Sequence, residues 1–450
     1  MLRESTADLG SVGGVLEPEG APAAGVDAPP AWSLAKRIAF RFFFSYFFLY
    51  IFPFPLEYVP FLEKAVGLYQ LSFMDSIVSW VGRTVFGVTI TVQPNGSGDT
   101  TWNYVQLFVC LVAALVATAV WSILDRRRKQ YERLHEWLRV YVRLSLAVAM
   151  LSYGAFKVIK SQFPDPTLDR LMQPYGDSSP MGLLWTFMGA STLYTFFGGL
   201  CEAIGGALLA FRRTLLLGAL VSAGVMLNVV MLNFSYDVPV KLYSAHLLLM
   251  ALFLAAPDLK RLLDFFLLNR PVEPARDRPL FQGKWAHRGS LALRTVFFLY
   301  AFGFSLKISY DGMKQYRTMF DGKTPLYGLW TVEEMTADGQ ARPPLITDAT
   351  RWRRMNFEVP GRTAIQLMDD SRQGFSLKLD PAKRAMSLTK RGETKPSANF
   401  AYQRPAPDVL LLNGDFDGKK VQAKLRKADP KKFLLVTRGF HWINEYPFNR

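Results

Sequence analysis

The chain has 450 residues, half of them hydrophobic, with 35 Phe, 18 Tyr, 10 Trp and a formal net charge of +16. Two cysteines and no CxxC exclude a disulfide framework and dithiol redox chemistry, and four scattered histidines offer no zinc cluster and no histidine pair for haem. The positive charge comes with no nucleic-acid motif, so basic loops facing anionic membrane lipids are the expected partner.

Residues 1–33 are rich in Gly, Ala and Pro and hold no apolar run, which predicts a disordered cytoplasmic tail rather than a signal peptide. Apolar runs of spanning length then follow at about 37–56, 104–124, 140–159, 188–211, 215–234, 239–256 and 291–309. Seven spans are therefore expected. The fourth begins with an interfacial turn near Met181. The first two belong to a unit over 34–139, interrupted by a long loop over 57–103. Phe61–Phe86 in that loop reads as one or two surface helices. Its end, Gln93 to Thr101, is turn-rich. Either Asp99, Thr100 or Thr101 caps the second span, or the Gly-Ser-Gly-Asp tract lines a ligand mouth. Residues 258–290 read as a basic cytoplasmic connector, with Leu259–Leu268 as an amphipathic extension of the sixth span.

Lys and Arg alternate between loops. Arg126, Arg127, Arg128, Lys129, Arg133 and Arg139 lie between spans 2 and 3, Arg212 and Arg213 between 4 and 5, and seven more between 6 and 7. The other loops are poorer. This bias places the N-terminus inside and, after seven crossings, the C-terminal domain outside, in a periplasmic or extracellular space.

From about Leu326 the pattern changes to short alternating segments separated by turn residues. Eight or nine strands are expected over 324–450, the last segment at Phe433–Thr437, as an antiparallel barrel or sandwich. Its opening Gly328-Leu-Trp330 resembles the Gly-x-Trp start of lipocalin-like barrels, which implies that Trp330 closes a barrel floor. The aromatic tail from Arg438 is expected to pack on the barrel or on the bundle.

The most informative residue is Glu202, inside an otherwise apolar run. A carboxyl at bilayer depth costs roughly 2.5–3.5 kcal/mol on insertion scales. Gly198, Gly199, Gly205 and Gly206 share its side of the helix and admit a close neighbour. Helical rise places Glu202 and His246 near mid-span, Asn228 in span 5, and Tyr153 and Lys157 in the outer half of span 3. Two readings stand. These groups form a hydrogen-bonded knot, with Lys157 and Arg143 snorkelling outward and inward. Otherwise they converge on a ligand, quinone or proton site in which Glu202 and His246 handle protons and Arg143, Tyr153, Lys157 and Asn228 bind. Under either reading Glu202 is expected to face the interior of the third to sixth spans and to pair with Lys157 or His246, by salt bridge or shared proton.

Arg143 entering span 3, Gly154-x-x-Lys157 at its far end, and Glu202 ahead of Gly205-Gly206 and the Arg pair resemble the DoxX family of four-helix membrane proteins over about 140–257. Some members of that family resemble subunits of a thiosulfate:quinone oxidoreductase. The resemblance implies a four-helix core that binds a small hydrophobic ligand, a quinone among the candidates, beside a partner redox subunit. The bundle with an outer β domain is also similar to vitamin K-dependent carboxylases. The non-enzymatic alternative is a membrane anchor that displays a lipocalin-like domain for binding or assembly.

Overall fold

The computed structural model describes residues 31–59, 61–91, 95–274, 283–320 and 324–449. The expected tail, up to residue 30, and residues 275–282 of the basic connector lie outside the described residues. What is described is a helical bundle followed by a closed β-barrel.

Helix α1 is Leu34–Ile51, capped by the Ser33 hydroxyl. The surface segment is helical from Glu63 to Phe86: α2 is Glu63–Leu68, a π-turn follows, and α3 is Asp75–Phe86. Helix α4, Thr101–Leu124, starts in a capping box between Thr100 and Asn103. Thr100 is thus the cap among the three residues proposed. Asp99 instead accepts hydrogen bonds from the Lys241 and Leu242 backbone amides, at 2.8 and 3.0 Å, and so caps a different helix.

Helix α5 is Glu132–Val158, α6 is Leu168–Met172, α7 is Pro180–Ala190 and α8 is Thr192–Ala210. The apolar run expected from 188 is therefore broken at Ser191, whose hydroxyl caps α8. Helix α9 is Leu215–Ser235, α10 is Lys241–Ala255 and α11 is Leu259–Phe266. Helix α12, Lys284–Phe320, has 37 residues. At 1.5 Å per residue it is about 55 Å long, so it outruns the expected span of 291–309; the first barrel strand begins at Gly328.

Six of these helices are long and apolar enough to cross a membrane: α1, α4, α8, α9, α10 and α12 with their flanking turns. The chain is accordingly membrane-associated. Helix α5 matches them in length but carries Arg143 and Lys157, and both side chains are buried inside the protein. Two ends can be distinguished. At the basic end Arg41 of α1 is buried and donates to the Tyr131 hydroxyl, the Ser122 hydroxyl and the Asp125 carbonyl. The opposite, barrel end carries α6, α7 and the C-terminal domain.

Strands β1 Gly328–Ala337, β2 Gln340–Ala341, β3 Trp352–Phe357, β4 Arg362–Leu367, β5 Arg372–Asp380, β6 Ala385–Lys390, β7 Ala398–Ala406, β8 Val409–Phe416 and β9 Lys419–Lys427 form one antiparallel sheet. Strand β1 pairs with both β3 and β9, so eight strands close a barrel and β2 is a short hairpin arm. Closure decides between the barrel and sandwich expectations. Asp338-Gly339 and Asp417-Gly418 adopt positive φ at the β1–β2 and β8–β9 turns, the backbone that two-residue hairpins require. Residues Phe433–Thr437, expected as a ninth strand, contain instead the helical turn α13, Leu434–Thr437. The β1–β9 pairing has already consumed the barrel's open edges, so no ladder is left for that segment to join.

The barrel interior is filled by side chains, among them Trp330, Trp352, Phe357, Phe375 and Phe400. Trp330 is fully buried; its indole donates to the Leu326 carbonyl at 2.8 Å, and Arg404 and Lys427 lie over its ring. The barrel sits on α6. Glu358 accepts from the Leu168 amide at 2.7 Å and the Asp169 amide at 3.4 Å, and Arg372 pairs with Asp169. Leu168, Met172 and Leu329 close an apolar seam beside them. In the tail, Phe440, Trp442, Ile443 and Tyr446 are exposed.

Candidate functional site

The site begins where α5 crosses α8. A Cβ on Gly199 would lie 2.8 Å from the Gly154 carbonyl oxygen, and one on Gly206 would lie 2.8 Å from that of Ala147. The two glycines are seven residues apart, two turns, so they lie on one face of α8. The helices run antiparallel; Glu202 lies between Gly199 and Gly206 within the crossing, and Lys157 lies one turn past Gly154 on α5. Side chains on a helix lean toward its N-terminus. In an antiparallel pair those leanings oppose, so the Lys157 and Glu202 side chains reach toward each other.

They meet. Lys157 Nζ donates to both Glu202 carboxylate oxygens at 2.8 Å. Lys157 is 8% exposed and Glu202 3%. Lys157 does not snorkel outward; its ammonium lies over the rings of Tyr153 and Phe163. The ion pair forms part of the wall of a cavity of about 340 Å³ between α5, α7, α8, α9 and α10. Most of the lining is apolar or aromatic, with Met150, Trp185, Phe197, Val229 and Leu247 among it. Tyr153 and Asn228 also line it, so four of the six expected residues share one site.

The other two lie elsewhere. His246 faces α1. Its Nδ1 lies 2.6 Å from the Leu242 carbonyl, which can only accept, so Nδ1 carries the proton. Nε2 therefore accepts, and the Tyr46 hydroxyl donates to it at 2.5 Å. Tyr50 stacks on the ring at 3.9 Å. Glu202 is thus paired with Lys157 and not with His246. Ser244, which lines the cavity, and His246 are two residues apart, about 200° around the helix. They occupy opposite faces of α10. Arg143 lies 14 residues before Lys157, about 21 Å along α5, at the basic end.

Sequence reasoning missed several lining residues. Gln162 and Trp185 come from the α5–α6 loop and α7, outside the expected spans, and Met188 from the first residue of the fourth. The Gln162 side-chain oxygen, Oε1, is buried without a hydrogen-bond partner among the described residues. Asn233 donates to the Ser244 hydroxyl at 3.0 Å. Two polar residues near the ends of adjacent apolar spans were the available signal for that pair. Among the described residues no three His, Cys, Asp or Glu side chains are grouped as a metal ion would need.

Over 124 residues, 28% of its length, the chain is 32% identical to "Uncharacterized protein YwoB" of Bacillus subtilis (strain 168), and the match covers 79% of that protein. The chain belongs to the same family as YwoB. No family model matches it, and no solved structure does.

Proposed function

We propose that this protein is a seven-span, DoxX-like membrane protein that binds a quinone-type ligand in the cavity beside Lys157 and Glu202. It serves there as the membrane subunit of an oxidoreductase whose redox centres lie in a partner chain. Helix α5 is the third crossing, which puts the N-terminus in the cytoplasm and the lipocalin-like barrel in the periplasm or outside the cell. The third, fourth, fifth and sixth crossings, α5, α8, α9 and α10, are the DoxX-like core.

The ion pair on the wall of an apolar cavity carries this reading. An ammonium has three N–H donors, and two of the Lys157 donors are taken by Glu202. Among the described residues no acceptor takes the third, which leaves it for a ligand carbonyl. A quinone supplies that carbonyl on a flat apolar ring, which the aromatic lining suits. Reduction to the hydroquinone takes two electrons, from the partner, and two protons. Glu202, beside the acceptor oxygen, is the group to relay a proton. The Tyr46–His246 pair lies on the other face of α10 and takes no part in this step. A non-enzymatic anchor for the barrel is the second reading; the filled barrel interior favours assembly over cargo binding for that domain.

Organic extraction of the protein purified in mild detergent, with mass spectrometry of the extract, tests the proposal. Bound quinone is expected, and a short-chain benzoquinone should quench Trp185 emission. An extract without quinone, together with quenching no different in Trp185→Phe, defeats it.

A further inference from the structure

At the basic end, a second cleft of about 980 Å³ opens between α5, the α8–α9 turn, the α10–α11 turn and the start of α12. Seven Lys and Arg side chains line it against four acids. Two of those acids are already engaged: Glu136 with Arg139 and Asp258 with Arg261. At its inner wall is Arg143, which is 3% exposed. Its Nε and one terminal nitrogen, Nη2, are buried and have no hydrogen-bond partner among the described residues.

That arrangement is chemically incomplete. A buried lysine or carboxyl can shed its charge by titrating, but a guanidinium stays protonated in proteins. A buried, charged group without a counter-charge is strongly disfavoured. The two orphaned nitrogens form one edge of the planar fork, the edge that grips two oxygens of a carboxylate or phosphate side by side. The surrounding surplus of positive charge selects an anion, and a multiply charged one best.

We propose that this cleft binds a phosphate-bearing anion, held in bidentate fashion by Arg143 Nε and Nη2, with Arg294 at the rim. The site is separate from the quinone cavity, so it stands or falls independently of that reading. The phosphate has two possible sources. A phospholipid headgroup can enter from the membrane interface, where α11 and the residues after it expose Phe265, Phe266, Leu267 and Leu268 to cover acyl chains. A soluble phosphate can enter from the aqueous side.

The test uses the full-length protein in two arms. In phosphatidylcholine nanodiscs, inorganic pyrophosphate is titrated and its binding measured calorimetrically. In discs that also contain phosphatidylglycerol, the lipid retained after detergent exchange is counted by native mass spectrometry. Wild type should bind one of the two probes, and which one identifies the source. Arg143→Lys keeps the charge but not the fork, and should weaken binding about tenfold or more. Arg294→Gln, at the partly exposed rim, guards against misfolding of the Arg143 variant and should weaken the same probe. Wild type that binds neither probe overturns the proposal. So does binding that is equal in wild type, Arg143→Lys and Arg294→Gln.

Discussion

Lys157 on α5 and Glu202 on α8 make a two-oxygen ion pair at 2.8 Å, with both side chains almost wholly buried. Breaking such a pair leaves one charge stranded, which costs about 3–5 kcal/mol. Lys157→Met or Glu202→Leu alone should therefore lower stability by that order. The double variant should recover much of the loss. Thermal unfolding of the four proteins in one detergent gives the coupling; additive losses would show that the pair does not act as a unit. Glu202→Gln separates the two roles of the site. It keeps most hydrogen bonds, so a structural pair tolerates it, whereas a proton relay loses turnover or quinone binding.

Gly199 and Gly198 are neighbours with opposite expectations. A Cβ at 199 would sit 2.7 Å from the Lys157 Cβ and 2.8 Å from the Gly154 carbonyl, whereas at 198 the nearest atom is 3.9 Å away. Gly199→Ala should cost about 1–3 kcal/mol by prising α5 from α8. Gly198→Ala should be nearly neutral. Equal unfolding temperatures for the two variants would contradict the close crossing.

Trp330 is fully buried in the barrel, with Arg404 and Lys427 over its ring. Trp330→Ala should cost the barrel about 3–5 kcal/mol. The loss should appear in urea denaturation followed by near-ultraviolet circular dichroism, with the helical signal of the bundle retained.

Glu358 makes barrel docking depend on pH. Burial holds its carboxyl above the usual glutamate range, and the hydrogen bonds from Leu168 and Asp169 only partly offset this. A group whose pKa rises on docking takes up a proton as the barrel docks. Its contribution is full below the undocked value, about 4.3, and is lost as pH rises through the raised, docked value. Spin-label distances between barrel and bundle should tighten on acidification across that window. Glu358→Gln, which cannot ionise, should flatten the dependence. Tightening with rising pH would give the opposite sign and refute it.

Topology rests on α5 as a crossing. Reporter fusions after Arg128 and after Asn449 should read cytoplasmic and exported. The same side for both would mean that α5 does not cross, and the barrel would then share a compartment with the N-terminus.

Local pattern alone determined much of this protein. Runs of apolar residues located the spanning helices, and strand-length alternation with Asp-Gly turns located the first eight of the barrel's expected strands, because these signals need only a residue and its near neighbours. Glu202 stood out by itself, since a carboxyl in an apolar run is anomalous whatever surrounds it. The sequence could also show that Gly198, Gly199, Gly205 and Gly206 lie on its side of the helix. Tertiary structure decided which of them meets α5, and hence that Lys157 rather than His246 answers Glu202. The opposed lean of side chains on two antiparallel helices makes that choice, and it exists only once the helices are paired. Rotation about α10 turned His246 away to Tyr46. Packing at the basic end buried Arg143 beside a cleft where snorkelling was expected. Strand closure, through the β1–β9 pairing, made a barrel and left Phe433–Thr437 to form a helical turn. Each of these outcomes depends on contacts between residues far apart in the chain, for which a single sequence carries no local signal.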